Sequence, residues 1–299
     1  MVSSERGPCD PRERAVEADR ARSVRVSRYD AVVFDVDGTL VWGESTVEGA
    51  AEAVAAARER GPVAFVSNNP TAAPAEYADR LSRAGIDAEP SAVVTAGSVT
   101  ARVVADGHPE PVYVVGEAGL VARLHDRGVR TTETPAAAGT VVASIDRSLE
   151  YGDLAAALRA FEAGDPAFVG TDPDPVIPGE DGLVPGSGAV VDAVASVAGR
   201  RPDAMAGKPS RAAWAATVAA LGGEPTRTLV VGDRPGTDVA LGARAGPDVE
   251  TALVLSGVTD AGDVPEGGPD DPPAPDHVVD SVAELPALLA DEADGSPDL

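Results

Sequence analysis

The segment DVDGTL at 35–40 sets two carboxylates, Asp35 and Asp37, two positions apart at the end of a short apolar run, AVVF at 31–34. Two further apolar runs also stop at a polar residue. VAFV at 63–66 ends in Ser67, followed by Asn68 and Asn69, and TLVVG at 228–232 ends in Asp233, with Asp238 close behind. Lys208, in DAMAGKPSRAA, is the only lysine; Asn68 and Asn69 are the only asparagines, in a chain without glutamine. Carboxylates, a hydroxyl, amide donors and a single ammonium suit a divalent cation and a phosphoryl group. Mg2+ prefers oxygen ligands, keeps several waters and needs one or two protein carboxylates, which Asp35 and Asp233 can supply. Gly38 lets the backbone turn close to a ligand. An ammonium is a compact charge on a flexible stem, whereas a guanidinium is a broad planar fork. A narrow phosphate pocket accepts the first and excludes the second, a physical reason to keep Lys208 where every other permanent cation is arginine.

These residues are far apart in sequence, so a fold must gather them. The buried-type runs at 31–34 and 63–66 bracket a helical pattern over about 47–60, stopped by Gly61-Pro62. A helix over about 74–84 follows and ends at Gly85. This rhythm predicts a parallel sheet with helical crossovers. In such a sheet ligands bind beyond the carboxyl ends of the strands, where Asp35, Ser67 and Asp233 would converge, with Lys208 reaching the same rim from a loop. The middle of the chain predicts strands at 111–116, 140–146 and 167–170 with helices at 117–127 and 150–163, then a helix over about 189–198. Strands at 228–232 and 251–257, a Pro/Gly/Asp loop at 260–276 and a last strand and helix within 277–290 complete the pattern.

DVDGTL (35–40), VSNNP (66–70), GKPS (207–210) and VGDRPGTD (231–238), in this order and spacing, resemble the four motifs of the haloacid dehalogenase superfamily phosphatases. Within it the chain is similar to the class IIA branch, the NagD-like and 4-nitrophenylphosphatase-like enzymes, from about Tyr29 to Leu289. Residues 39–66 leave room for one helix and one strand but not for a helical cap, whereas a second α/β unit fits between Asn69 and Lys208. The resemblance therefore implies an α/β fold: a Rossmann-like parallel-sheet core at 29–97 and 186–290, with an inserted α/β cap of the C2 type at 98–185. It implies that Asp35 is a nucleophile forming an aspartyl-phosphate and that Asp37 protonates the leaving group and then activates water. Mg2+ would be bound by Asp35, the Asp37 carbonyl and Asp233, with Asp238 orienting a metal-bound water or Lys208. Gly38, Ser67, the backbone around Asn68 and Asn69, and Lys208 would hold the phosphoryl group. VGTDPD at 169–174 has Asp172 where the family has Asn, which makes Asp172 either a substrate contact or a turn residue before Pro173.

Composition narrows the function classes. The formal net charge of −25 argues against a broad phosphate-backbone surface, so no nucleic acid partner is expected. No apolar run approaches a membrane span, and Cys9, the only cysteine, permits no intrachain disulfide. A cytoplasmic location and a salt-adapted source are the expectations, with residues 1–28 a loosely ordered extension and 291–299 an acidic tail. The resemblance implies as partner a small phosphorylated metabolite of the sugar phosphate, phosphoglycolate, glycerol phosphate or nucleoside monophosphate class, and homo-oligomers through the cap, where members of that family often associate. A phosphotransferase with a non-water acceptor and a non-catalytic phospholigand binder remain the alternatives.

Overall fold

A strand covered on both faces needs apolar side chains throughout, and the chain supplies such runs at two levels. In chain order the first strands are β1 (Ala31–Asp35), β2 (Val41–Trp42), β3 (Ser45–Thr46), β4 (Val63–Ser67) and β5 (Val93–Thr95). Next come β6 (Val112–Val115), β7 (Thr140–Ala143), β8 (Ala167–Gly170), β9 (Val176–Gly179), β10 (Gly182–Pro185) and β11 (Ala204–Met205). Last are β12 (Thr228–Gly232), β13 (Val249–Val254) and β14 (His277–Val279). This computed structural model describes residues 28–43, 45–179, 182–269 and 271–290. Cys9, the expected extension up to residue 27 and the expected acidic tail lie outside the described residues.

One sheet has the order β14-β13-β12-β1-β4-β5 and every pair in it is parallel. β1, β4 and β12 are buried along their whole length. The chain runs outward from β1 to β4 and β5, then returns to its other side as β12, so β1 sits where the winding direction reverses. The residues at the carboxyl ends of β12, β1 and β4 are therefore lateral neighbours. The helix Pro74–Arg83 packs Tyr77, Ala78 and Leu81 into the same core as Phe34 and Phe65. Between β1 and the helix Ala50–Arg58, β2 and β3 form a short antiparallel hairpin over the end of β1.

A second parallel sheet has the order β11-β8-β7-β6. The helices Tyr151–Ala163 and Ser187–Ala198 cover one face, where Ala157, Ala160, Val190, Val191 and Val194 meet Val141 and Phe168. The helices Ala96–Gly107 and Ala118–Asp126 cover the other, where Ala101, Val104, Leu120 and Leu124 meet Val112, Val142 and Val169.

The expected cap boundary at 185 differs from these contacts. The helix Ser187–Ala198 lies on the second sheet and Ala204–Met205 is its edge strand, so that unit extends to Met205. The apolar stripe of Val190, Val191 and Val194 suits either sheet, and periodicity does not say which one it meets. Ala96–Gly107, where the sequence pattern names no element, is a helix that touches both units: Val99 packs with the first sheet, Ala101 and Val104 with the second. The helix Arg211–Ala220 was also not expected. Its alanine-rich sequence shows little periodicity, but the Ser210 hydroxyl accepts from the Ala213 N–H at 3.0 Å and starts it. Among the described residues no helix is long and apolar enough to cross a membrane.

Candidate active site

β1 ends at Asp35, β4 at Ser67, and Asp233 directly follows β12. Strand order places these three side by side, and the loop 207–210 brings Lys208 between them. Lys208 lies in the middle of the cluster and not at its rim, 3% exposed. Its ammonium donates to Asp35 Oδ1 at 2.5 Å, to Asp238 Oδ1 at 2.6 Å and to the Val66 carbonyl at 3.0 Å. Three donors thus meet three acceptors. Burial alone would lower the Lys208 pKa, but the Asp238 and Asp35 carboxylates outweigh it and hold the ammonium well above its ordinary value. Burial raises the Asp35 pKa well above the carboxylate range, Lys208 opposes this, and Asp238, Asp233 and Asp37 push further upward. Burial and Asp238 likewise raise Asp233 to about 7.

The donor set fits a hard divalent cation. Asp35, Asp233 and Asp238 each bring a carboxylate oxygen within 4.8 Å of the others. Their remaining bonds separate them. Asp238 uses both oxygens, one for Lys208 and one for the Arg234 N–H at 3.0 Å. Asp233 Oδ2 accepts from the Val258 N–H at 2.9 Å. Asp35 Oδ2 and Asp233 Oδ1 are buried and have no hydrogen-bond partner among the described residues. Buried carboxylate oxygens without donors are costly unless a cation meets them. The backbone makes room for this arrangement. A Cβ on Gly38, whose φ is +99°, or on Gly257 would lie 2.2 Å from Asp233 Oδ2.

Asn68 and Asn69 act through their side chains. Asn68 Oδ1 accepts from the Lys208 N–H at 2.8 Å, and Asn68 Nδ2 donates to the Lys208 carbonyl at 3.3 Å and to Asp174 Oδ2 at 3.0 Å. It fixes the lysine's backbone and ties it to the second unit. Asn69 Oδ1 accepts from the N–H groups of Thr71 and Ala72 and from the Thr71 hydroxyl, which folds the loop back on itself. Ser67 Oγ accepts from the Asn69 N–H at 3.1 Å and lies 2.9 Å from Asp37 Oδ2. The Asp37 carboxylate also accepts from the Tyr77 hydroxyl at 2.6 Å and from Arg80 Nη1 at 2.5 Å.

A family model described as haloacid dehalogenase-like hydrolase matches residues 32–130, and one described as HAD-hydrolase-like matches 205–285. The glycerol-3-phosphate phosphatase of Homo sapiens is 34% identical, over 96% of this chain and 99% of that protein. The structure of a p-nitrophenyl phosphatase from Archaeoglobus fulgidus superposes with a TM-score of 0.78 at 30% identity, covering 87% of this chain and 99% of the other. That of a glycerol phosphate phosphatase from Mycobacterium tuberculosis in complex with magnesium gives 0.76 at 30% identity, covering 88% and 79%. The chain belongs to the haloacid dehalogenase-like hydrolases. Within that family it is a phosphoric monoester hydrolase.

In this hydrolase the cluster opens into a cavity of about 250 Å³ between the two sheets. Asp35, Asp37, Ser67 and Lys208 line its floor; Ile145, Arg147, Asp172, Asp174, Ile177 and Pro178 come from the second unit. Sequence reasoning missed Asp174, Arg234, Tyr77 and Arg80. Asp174 accepts from Asn68 and lies 3.5 Å from Arg234 Nη1, which also donates to the Val176 carbonyl at 3.2 Å. Trp42 lines the mouth and is 45% exposed, so it belongs to the entrance and not to the core.

Asp172 is a turn residue and a wall of the cavity at once. It is 2% exposed, and its oxygens accept from the Asp174 N–H at 3.3 Å and the Thr171 hydroxyl at 3.1 Å. Burial and the neighbouring Asp174 raise its pKa from 3.8 to about 7. A carboxyl whose folded pKa is raised favours the fold in its protonated form. Its ionisation therefore removes stability as pH climbs from the unfolded value to the folded one. Asp172→Asn abolishes that titration. Urea unfolding is expected to show the variant gaining on the wild type from about pH 4 upward, with the difference level above about pH 7. A difference independent of pH between 4 and 8 contradicts this account.

Proposed function

We propose that this chain hydrolyses small phosphomonoesters through an aspartyl-phosphate on Asp35, with Mg2+ held by Asp35, the Asp37 carbonyl and Asp233. The observation that carries this reading is the pair of buried oxygens without a partner among the described residues, Asp35 Oδ2 and Asp233 Oδ1, beside an ammonium whose donors are all engaged. The ion, when bound, screens the repulsion between the Asp35 carboxylate and the anionic substrate. Lys208 holds Asp35 in line for attack and presents positive charge to the phosphoryl oxygens. An Asp35 oxygen bonds to phosphorus as the phosphorus–ester bond breaks, and Asp37 gives its proton to the departing oxygen. Water then attacks phosphorus, Asp37 takes its proton, and the bond to Asp35 breaks to release phosphate. Asp238 acts on Lys208 and not on the ion. The cavity of about 250 Å³ suits a compact leaving group such as glycerol, and glycerol phosphate gives its name to the human relative.

Asp35→Asn is expected to abolish turnover. Asp37→Asn should lower kcat/KM by about 100-fold or more on an alkyl phosphate but clearly less on 4-nitrophenyl phosphate, whose leaving group departs without a proton. Steady-state kinetics on both substrates check this, and equal losses contradict Asp37 as the acid.

The net charge of −25 and the near-exclusion of lysine also support a fold suited to high salt. Screening lowers the mutual repulsion of surface carboxylates. The melting temperature should rise between low and molar KCl; a flat or falling one contradicts this reading.

A further inference from the structure

An acid that must deliver a proton to one oxygen, and then take one from water in the same place, works only if its carboxylate stays put. Asp37 is poorly placed to do so unaided. It lies in the loop after β1, beside the positive-φ Gly38, and its side chain is 41% exposed. Its position is fixed by donors, and two of these come from one face of the helix Pro74–Arg83, three residues apart.

The Tyr77 hydroxyl donates to Asp37 Oδ2 at 2.6 Å, and the tyrosine is 3% exposed, so its ring cannot swing away. The Ser67 hydroxyl closes a triangle with both, 2.9 Å from each. Arg80 Nη1 donates to the other carboxylate oxygen at 2.5 Å. The guanidinium does not end there. Its Nε and Nη2 both donate to the Gly43 carbonyl, at 3.1 and 2.5 Å. Gly43 is in the turn between β2 and β3, and with Trp42 it lines the cavity mouth. The guanidinium also lies over the Tyr77 ring, 5.6 Å from its centre, which orients the fork. One planar group thus fastens the acid and the hairpin turn to the same helix. Its fork shape permits this; an ammonium is a single point charge.

We propose that Tyr77 and Arg80 are positioning residues for Asp37, and that Arg80 couples the Asp37 carboxylate to the hairpin turn at the cavity mouth. The proposal rests on the reading of Asp37 as the acid that protonates the leaving group. Tyr77 is not part of the cavity wall, and Arg80, which is, directs its nitrogens at Asp37 and the Gly43 carbonyl. Their effect should therefore appear only where protonation of the leaving group matters.

The test is kcat/KM, which reports the steps through departure of the leaving group, for Tyr77→Phe, Arg80→Gln and Arg80→Lys. The substrates are glycerol 3-phosphate and 4-nitrophenyl phosphate, at saturating Mg2+, with Asp37→Asn measured alongside and melting temperatures recorded. Tyr77→Phe and Arg80→Gln are expected to lose about tenfold or more on glycerol 3-phosphate and less than about threefold on 4-nitrophenyl phosphate. Arg80→Lys keeps the charge but not the second bond, and is expected to fall with Arg80→Gln; full recovery overturns the coupling to the turn. Equal losses on both substrates, as general damage to the fold would give, overturn the positioning role, as does no loss on either. If Asp37→Asn keeps its leaving-group bias in that case, only this inference fails. If Asp37→Asn itself shows no bias, the reading of Asp37 as the acid fails and the inference falls with it.

Discussion

Lys208 Nζ is enclosed by Asp35 Oδ1, Asp238 Oδ1 and the Val66 carbonyl. Three aspartates within 4.8 Å of one another could not remain buried and ionised without a cation among them. A buried ammonium would in turn lose its proton without carboxylates to hold it. The carboxylates keep the ammonium charged, and the ammonium offsets part of the burial and repulsion that push Asp35 and Asp233 upward. Such a cluster is a poor source of fold stability, because desolvation offsets much of the attraction between buried charges. Its product is geometric. One oxygen of Asp35 is tied down, and the other, like Asp233 Oδ1, has no donor among the described residues.

The rest of the site acts to keep that ammonium in place. β1 and β4 are hydrogen-bonded neighbours, so Asp35 and the Val66 carbonyl face the same side chain. Asn68 clamps both backbone groups of Lys208 and then reaches Asp174, so the second unit is fastened to the loop that carries the lysine. Arg234 extends the same chain of contacts, because its N–H holds Asp238 and its side chain lies against Asp174. The sheet, the loop and the covering unit thus meet at one charge. Asp37 stands outside this knot, held by Ser67, Tyr77 and Arg80.

Much of this was legible because apolar runs that stop at a polar residue mark the ends of parallel strands. Asp35, Ser67 and Asp233 were placed together on that ground alone, and the two asparagines and one lysine stood out by rarity. What the sequence hid has physical reasons. Tyr77 and Arg80 sit on an amphipathic helix, where an arginine reads as a solvated face until the fold turns it toward Asp37. Asp172 and Asp174 alternate with prolines and read as turns; their burial comes from the second unit meeting the first, where Asp174 reaches Asn68 and Arg234. The unit's end was misplaced near 185 because small aliphatic stripes match either sheet. Lys208 was expected at a rim, since a loop flanked by Gly207 and Pro209 gives no sign of how deep its side chain goes.

The central claim is that the site needs a compact ammonium at position 208 and not merely a positive charge. Steady-state kinetics of Lys208→Arg test it most directly, with circular dichroism and a melting curve to show that the variant is folded. A guanidinium is too wide and too planar to donate to Asp35, Asp238 and Val66 together. The account predicts a folded variant whose kcat/KM has fallen about 100-fold or more, a loss of about 2.7 kcal/mol in transition-state stabilisation. Activity within about threefold of wild type would contradict it, because charge alone would then be sufficient.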